Sequence, residues 1–133
     1  DEITRPCELA SVFICSFSDK YPDRARRRAA KTLAFYVSVG AYYRTLISNS
    51  GFTDETETIV EEYNKRGLDA ASNVVSDNLL DDIATCGDYE HDRRTMHRFI
   101  STGITLPILQ INPVRGEDTQ ESFIKLLETF SNE

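Results

Sequence analysis

Apolar residues recur at helical spacing through residues 23–52, the longest stretch of the chain in which several helix signals coincide. Pro22 suits a first helical position, because its missing amide hydrogen would be unbonded there. The apolar stripe follows at the i, i+3, i+4, i+7 spacing of one helical face: Leu33, Tyr36, Val37 and Gly40. Gly40 predicts a break, and Gly51 predicts the end of a second piece. We therefore expect a helix, a break and a shorter helix.

Two short apolar runs predict buried strands. They are residues 8–18, ELASVFICSFS, and residues 105–111, TLPILQI, and neither alternates regularly with polar residues. Such runs are typical of parallel strands that are covered by helices. We expect the two strands to be parallel neighbours with helices covering one side. Because two strands alone do not make a stable sheet, the chain is predicted to be part of a larger α/β fold.

The segment that follows Ser76 is predicted to be helical throughout. The Ser76 side chain can accept a hydrogen bond from a free amide of the first turn, and Gly87 supplies a stop. The positions that face inward between them are Leu79, Leu80, Ile83 and Ala84. Residues 76–87 are therefore assigned to one helix.

Capping residues mark further helices on either side of this segment. Two pairs resemble capping boxes: Asp54 with Glu57, and Asp118 with Glu121. Residues 68–75 predict another short helix. Either Asp88 or Asp92 opens the next helix, which ends at Gly103.

The composition is ordinary for a soluble globular chain. Of the 133 residues, 40% are hydrophobic and 28% are charged, and residues 1–133 are expected to form a single unit. The net charge of −7 argues against nucleic acid as a partner, because phosphate binding relies on clustered Lys and Arg. The opening DEITRP lacks a secretory signal, and no run approaches the roughly 18 apolar residues of a spanning helix. We expect no membrane partner, and an opening on Asp1 would suit a processed or truncated product.

Cysteine and histidine spacing offers little support for metal or thiol chemistry. Cys7, Cys15 and Cys86 form neither a CxxC pair nor an even set, which favours a reduced, cytoplasmic setting. His91 and His97 are six residues apart without an HExxH pattern, so no metal site is predicted. A nucleophilic pair of Cys86 and His91 remains an alternative to two partly exposed helix histidines.

A basic cluster lies at the start of the first predicted helix, where it opposes the helix dipole. Its members are Arg24, Arg26, Arg27 and Arg28. A bound phosphate is one explanation. The simpler one is a solvated face paired with Asp19, Asp23 or the acidic run at residues 55–62. Neither GxGxxG nor a Walker loop is present.

An aromatic cluster follows in the same predicted helices, formed by Phe35, Tyr36, Tyr42 and Tyr43. It walls a ring-binding pocket in one interpretation and belongs to a core or an interface in the other. The second interpretation leads to one of two hypotheses for function, a helical interaction module that binds a partner protein through residues 36–47.

The other hypothesis comes from a resemblance. The segment AFYVSVGAYYRTLISNSGF, and the later order SDNLLDDIATCGD, helix, STGITLPIL, are its most telling parts. With them, residues 8–130 resemble the C-terminal part of the luciferase-like monooxygenase superfamily. The resemblance is to coenzyme F420-dependent oxidoreductases similar to methylenetetrahydromethanopterin reductase.

The resemblance implies a fold and an activity. It implies a C-terminal fragment of an eight-stranded (βα)8 TIM-type barrel, in which residues 8–18 are strand seven and residues 105–111 are strand eight. It also implies hydride transfer between a deazaflavin or flavin and an organic small-molecule substrate in the full-length protein. The cofactor would be coenzyme F420 or, alternatively, FMN.

The resemblance also implies where a cofactor would lie. Barrel enzymes place their sites at the carboxyl ends of the strands. The candidate cofactor-binding residues of this chain are therefore Ser16, Ser18, Asn112 and Arg115, whereas no catalytic residue can be assigned. The implied partner is the rest of the barrel or a second copy of the chain. We expect the second copy to pair with an open edge of the first strand, beside an apolar face formed by Val12, Ile14, Leu106 and Ile108.

Overall fold

A computed structural model describes residues 7–131 of the chain. The opening DEITRP, for which the sequence predicts no secretory signal, lies outside the described residues. The elements follow in the order β1 (Ala10–Phe17), α1 (Pro22–Val39), α2 (Ala41–Ile47), α3 (Thr53–Arg66), α4 (Leu68–Asn73), α5 (Asp77–Ile83), β2 (Ala84–Gly87), α6 (Tyr89–Ile100), β3 (Leu106–Ile111) and α7 (Thr119–Phe130). A π-helical turn, Ser48–Phe52, joins α2 to α3.

The three strands form one parallel sheet in the order β2-β1-β3. β1 pairs with β3 from Ala10↔Leu106 to Cys15↔Ile111, which confirms that the two predicted strands are parallel neighbours. The described residues contain one strand more than the two predicted, β2, in a segment that the sequence assigned to a helix. The expected open edge along the whole of β1 is wrong, because β1 is central and pairs with β2 at its carboxyl half.

β2 lies where the sequence predicted the end of a helix. Helix α5 ends at Ile83, and Ala84 already has an extended backbone with φ −123° and ψ 163°. All four residues of β2 are buried. Buried backbone groups need hydrogen-bond partners, and pairing with β1 provides them. The tertiary contact with β1 therefore overrides the helical spacing of the apolar residues.

Side chains of the sheet alternate between two faces. The first, here called the α1 face, is formed by Ile14, Ser16, Ala84 and Cys86 together with the matching residues of β3. The main apolar cluster packs on this face and draws its buried residues from helices α1 to α5. Among them Ala29, Ala34 and Val37 have 0% exposure, and the two small side chains let α1 approach the sheet closely. The predicted helical layer is confirmed on this face.

The opposite face, here called the α7 face, is also covered by helices. Cys15, Phe17, Leu109 and Ile111 pack there against Leu126, Tyr89 and Phe130 of helices α6 and α7. The rings of Phe13 and Phe99 stack with their centres 4.7 Å apart. Helices therefore cover both sides of the sheet, and the expectation of one covered side is corrected.

Gly40 separates α1 from α2, as the sequence predicted. A Cβ atom at this position would lie 2.8 Å from the backbone oxygen of Tyr36 and 3.1 Å from the Tyr43 ring. No larger residue fits without displacing α2. The break therefore depends on close packing between the two helices, because φ at Gly40 is −103° and open to any residue.

Most of the predicted helix caps are confirmed. The side chains of Ser76, Asp88 and Asp118 accept hydrogen bonds from first-turn amides of α5, α6 and α7. Asp88 rather than Asp92 therefore opens α6. The predicted cap at Asp54 is wrong, because α3 begins one residue earlier at Thr53 and has no side-chain cap.

The core packing of α1 predicts a large difference between two leucine truncations. Leu33 is 1% exposed in the main apolar cluster, whereas Leu46 on α2 is 65% exposed. We expect Leu33→Ala to lower the free energy of unfolding by about 2–5 kcal/mol, through lost burial and a cavity. Leu46→Ala is the matched control and should change it by less than about 1 kcal/mol. Urea unfolding followed by circular dichroism measures both, and equal losses would contradict this packing.

Candidate functional site

The carboxyl ends of β1 and β3 are the best placed part of the sheet for a ligand site. In open α/β sheets, ligands bind where neighbouring strands continue to opposite faces. The chain leaves β1 toward α1 on the α1 face and leaves β3 toward α7 on the α7 face. The crevice between these two strand ends is therefore a topological switch point.

A cleft of about 360 Å³ lies at this edge. It is bordered by the end of β1, the start of α6 and the loop that enters α7. The ionisable residues around it are Asp19, Lys20, Tyr89, Glu117, Asp118, Glu121 and Lys125. Four carboxylates thus face two ammonium groups. The cleft favours cationic or neutral polar groups over anions.

Asp19, Tyr89 and Lys125 bind to one another across this cleft. The Asp19 carboxylate lies 2.6 Å from the Lys125 ammonium and accepts a 3.2 Å hydrogen bond from the Tyr89 amide. The hydrogen bond from Lys125 lowers the pKa of Asp19. Lys125 also lies 4.2 Å from the centre of the Tyr89 ring. Burial raises the pKa of the Tyr89 hydroxyl, which therefore stays protonated near neutral pH. This trio joins the end of β1 to α6 and α7.

Ser16 and Asn112, two of the predicted cofactor-binding residues, are buried and bonded to neighbours. Ser16 Oγ donates to the Asn112 carbonyl at 2.8 Å. The Asn112 side chain accepts from Thr32 Oγ1 at 2.8 Å and donates to the Gln110 carbonyl at 2.9 Å. The Ser16 hydroxyl joins the ends of β1 and β3, and the Asn112 side chain joins the end of β3 to α1. Both side chains are therefore engaged within the protein.

Ser18 and Arg115, the other two predicted residues, lie at the same edge. Ser18 borders the cleft, where its hydroxyl donates to Glu117 and accepts from the Tyr21 amide at 2.9 Å. Arg115 is exposed on the loop between β3 and α7. The structure therefore brings Ser16, Ser18 and Asn112 together and places Arg115 on the adjoining loop.

The nucleophilic pair considered for Cys86 and His91 is not supported. Cys86 is 1% exposed, and burial raises the pKa of its thiol to about 12. A buried thiol with that pKa supplies almost no thiolate at neutral pH. His91 instead lies 3.6 Å from the Asp81 carboxylate. Within residues 7–131, no group of three or more His, Cys, Asp or Glu side chains is arranged to hold a metal ion.

Arg26 of the basic cluster pairs with helix α5 and with none of the acidic residues predicted as partners of the cluster. Arg26 lies 2.6 Å from Asp77 and 2.8 Å from Asp81 and donates to the Cys86 carbonyl at 3.4 Å. Asp19, one of the predicted partners, is paired with Lys125 instead. The positive charge of Arg26 is thus compensated by two carboxylates of α5, and a bound phosphate is not needed to explain it.

Asp92 is the buried acid that the sequence did not single out for a site. It has 0% exposure, and neither carboxyl oxygen has a hydrogen-bond partner among the described residues. Burial and the nearby Asp88 charge raise its pKa to about 8, although Arg26 opposes the shift. Asp92 is therefore protonated at neutral pH. In the sequence, Asp92 stood out only as an acidic residue near the predicted start of a helix.

Comparison with known proteins gives a structural likeness but no sequence match. No family model and no curated protein matches the chain. The structure is similar to that of a coenzyme F420-dependent tetrahydromethanopterin reductase from Methanopyrus kandleri, with a TM-score of 0.66 and 19% sequence identity. The match covers 90% of this chain and 33% of that one, so the chain spans about a third of its neighbour's length.

This likeness confirms the expected fold class. The chain has the fold of about a third of that neighbour, with mostly helical structure and three parallel strands among the described residues. Separately, among residues 7–131, no helix has the length and apolar character needed to cross a membrane.

The buried Asp92 predicts that stability falls as the pH rises. The folded-state pKa of about 8 lies above the ordinary value of 3.8, so the folded protein keeps a proton that the unfolded chain has lost. Stability contributed by that proton is complete below about pH 4 and disappears as the pH rises through about 8, with a slope of up to about 1.4 kcal/mol per unit.

Urea unfolding between pH 5 and 8 should show this slope and should lose it in Asp92→Asn, which mimics the neutral acid. The control is Asp82→Asn, because the Asp82 side chain is 58% exposed. A pH slope that persists unchanged in Asp92→Asn would refute the assignment.

Proposed function

We propose that this chain is the C-terminal portion of a cytoplasmic oxidoreductase that depends on coenzyme F420 or, alternatively, FMN. The longer protein would transfer hydride between the ring of its cofactor and an organic small-molecule substrate. The observation that carries the proposal is the structural likeness over 90% of the chain to a reductase named as F420-dependent. The location of the cleft supports it, because barrel enzymes place their sites at the carboxyl ends of strands.

The cleft itself does not fit the phosphate of such a cofactor. The cleft carries four carboxylates, and its Lys125 is already bound to Asp19. A phosphate group would meet net negative charge there. The Ser16 hydroxyl and the Asn112 amide, which were expected to bind a cofactor, are occupied by internal hydrogen bonds. Most cofactor contacts must therefore come from other parts of the longer protein.

We assign different roles to the four predicted residues. Ser16 and Asn112 position the ends of β1 and β3 through their shared hydrogen bond. Ser18 borders the cleft, and Arg115 is an exposed cation on the adjoining loop. Arg115 is therefore the residue proposed to contact the anionic part of the cofactor, since guanidinium groups bind phosphate and carboxylate well.

A helical interaction module is the second candidate function. The observation in its favour is the exposure of α2, where Tyr42 is 93% exposed, Tyr43 54% and Leu46 65%. Exposed aromatic clusters often mark protein interfaces. In this case the aromatic segment would bind a partner protein, and no redox cofactor would be required.

Cofactor titration distinguishes these functions. The longer protein that contains this chain is titrated separately with F420 and FMN, and the cofactor absorbance band is followed. A saturable shift with either cofactor is expected. Binding of neither cofactor would contradict the oxidoreductase and favour the interaction module.

The 133-residue chain by itself should have no oxidoreductase turnover. Hydride transfer requires cofactor and substrate to be held at near-attack distance by several loops, and this chain supplies only a few of them. Purified chain and longer protein are assayed side by side with reduced F420 and reduced FMN. Reproducible turnover by the chain alone would show that it holds a complete site.

Replacement of Arg115 tests the cofactor contact. A charge-assisted hydrogen bond contributes roughly 1.5–3 kcal/mol, so Arg115→Ala in the longer protein should weaken cofactor binding about 10- to 100-fold. Arg27→Ala is the matched control, because Arg27 is also exposed but lies within α1. Equal affinities for the two variants and the unmodified protein would remove Arg115 from the site.

A further inference from the structure

Three arginines at the carboxyl end of the sheet form no ion pair with a carboxylate of the described residues. They are Arg24 and Arg28 near the start of α1 and Arg115 on the loop between β3 and α7, here called the arginine edge. Elsewhere in the chain, cations such as Lys65 and Arg94 pair with a glutamate one helical turn away. In a chain with a net charge of −7, these unpaired cations need an explanation.

The packing of α1 against β3 places Arg28 just past the end of this strand. Gln110 donates to the Tyr36 hydroxyl at 2.9 Å, and Thr32, four residues earlier on α1, donates to Asn112, two residues later, at 2.8 Å. Four helical residues advance about 6 Å and two strand residues about 6.6 Å, so one turn of α1 matches two residues of β3. The next turn places Arg28 level with the loop that follows β3.

A chain of hydrogen bonds fixes the Arg28 guanidinium at this place. Its Nη1 donates to Thr32 Oγ1 at 2.8 Å, and Thr32 in turn donates to the Asn112 side chain. Thr32 and Asn112 are both buried, so these bonds are sheltered from water. A guanidinium group has five N–H donors, and the Thr32 hydroxyl takes one of them. The other donors of Arg28 have no acceptor among the described residues.

The arginine edge is electrostatically unfavourable without an anion. Arg24 and Arg28 are four residues apart, and like charges at this spacing repel one another along a helix. Arg24 also lies in the first turn of α1, where the helix dipole disfavours a cation. Its guanidinium carbon lies 4.3 Å from the centre of the Tyr21 ring, which holds the group without neutralising it. A bound anion would offset both costs.

Arg115 is held on a tight turn of the neighbouring loop. The Glu117 amide donates to the Val114 carbonyl at 3.2 Å, so Arg115 and Gly116 are the two central residues of the turn. Gly116 has a φ of +94°, a conformation that favours glycine. The Glu117 side chain accepts from Ser18 and ties the turn to the end of β1. The loop therefore presents an exposed arginine at the same end of the sheet as the start of α1.

We propose that the arginine edge binds a phosphate group, with Arg28 and Arg115 as its main ligands and Thr32 as the residue that positions Arg28. Guanidinium groups bind phosphate oxygens through parallel N–H donors. The site lies on the α1 side of the strand ends, whereas the acidic cleft lies on the α7 side. This inference rests on the proposed function, in which Arg115 contacts the anionic part of the cofactor. The phosphate belongs either to that cofactor or to a phosphorylated substrate.

Calorimetric titration of the longer protein with inorganic phosphate tests the site. Ionic strength is held constant with chloride, and affinity in the millimolar range is expected from two guanidinium ligands. Arg28→Ala should weaken phosphate binding at least about 10-fold. Arg27→Ala is the matched control and should change it less than about 2-fold, because residue 27 is turned about 100° from residue 28 around the helix. Equal affinities of the two variants, or no phosphate binding by the unmodified protein, would overturn the proposal.

Replacement of Thr32 tests its positioning role. Thr32→Val removes the hydroxyl that holds Arg28 and keeps a similar shape, so it should weaken phosphate binding about 3- to 10-fold. Thr32→Ser keeps a hydroxyl and should bind phosphate within about 2-fold of the unmodified protein. Circular dichroism checks that each variant is folded. Equal weakening in the two variants would refute the role of the hydroxyl.

Cofactor titration identifies the source of the phosphate. Riboflavin is FMN without the phosphate, so it serves as the matched ligand. If Arg28→Ala weakens the binding of FMN but not of riboflavin, the phosphate is that of the cofactor. If the same variant weakens the binding of inorganic phosphate and leaves the binding of both F420 and FMN unchanged, the phosphate is that of the substrate. Both results support the site.

The same titrations separate this inference from the proposed function. Phosphate binding that depends on Arg28, without binding of F420 or FMN, would support the site and refute the oxidoreductase. Cofactor binding with no effect of Arg28→Ala on inorganic phosphate would refute the site and leave the oxidoreductase supported.

Discussion

A parallel strand with apolar side chains on both faces needs a helical layer on each side and a hydrogen-bonding partner on each edge. β1 imposes this requirement on the whole chain. Its α1 face binds the cluster built from α1 to α5, and its α7 face binds α6 and α7. Its carboxyl half is completed by β2 and β3. The remaining elements are arranged around this one strand.

Polar contacts at the carboxyl end of β1 join layers that apolar packing alone would leave separate. Ser16 and Asn112 connect two strand ends, and Thr32 of α1 binds the same asparagine. Asp19 connects the strand end to Lys125 of α7. These bonds use the polar groups that make strand ends suitable for ligands. The polar groups at the carboxyl edge of the sheet therefore already have hydrogen-bond partners within the protein.

Local signals predicted most elements, whereas distant pairings had to come from the structure. The spacing around Leu33 and the caps at Ser76 and Asp118 depend on residues within a few positions, so sequence reveals them. β2 is four residues long and continues an apolar helical pattern, so only its contact with β1 identifies it. Likewise, a polar residue after a strand does not disclose whether its side chain faces a ligand or, like Asn112, a neighbouring strand.

The order of strands along the chain has a consequence for synthesis. The contact between Cys15 and Thr85 spans 70 residues, so β1 leaves the ribosome long before β2 is made. At about 5–20 residues per second, the interval is roughly 4–14 s. During that interval the apolar run of β1 lacks its sheet partners, although α1 is available to cover one face. Early docking of α1 would shield the nascent strand from aggregation.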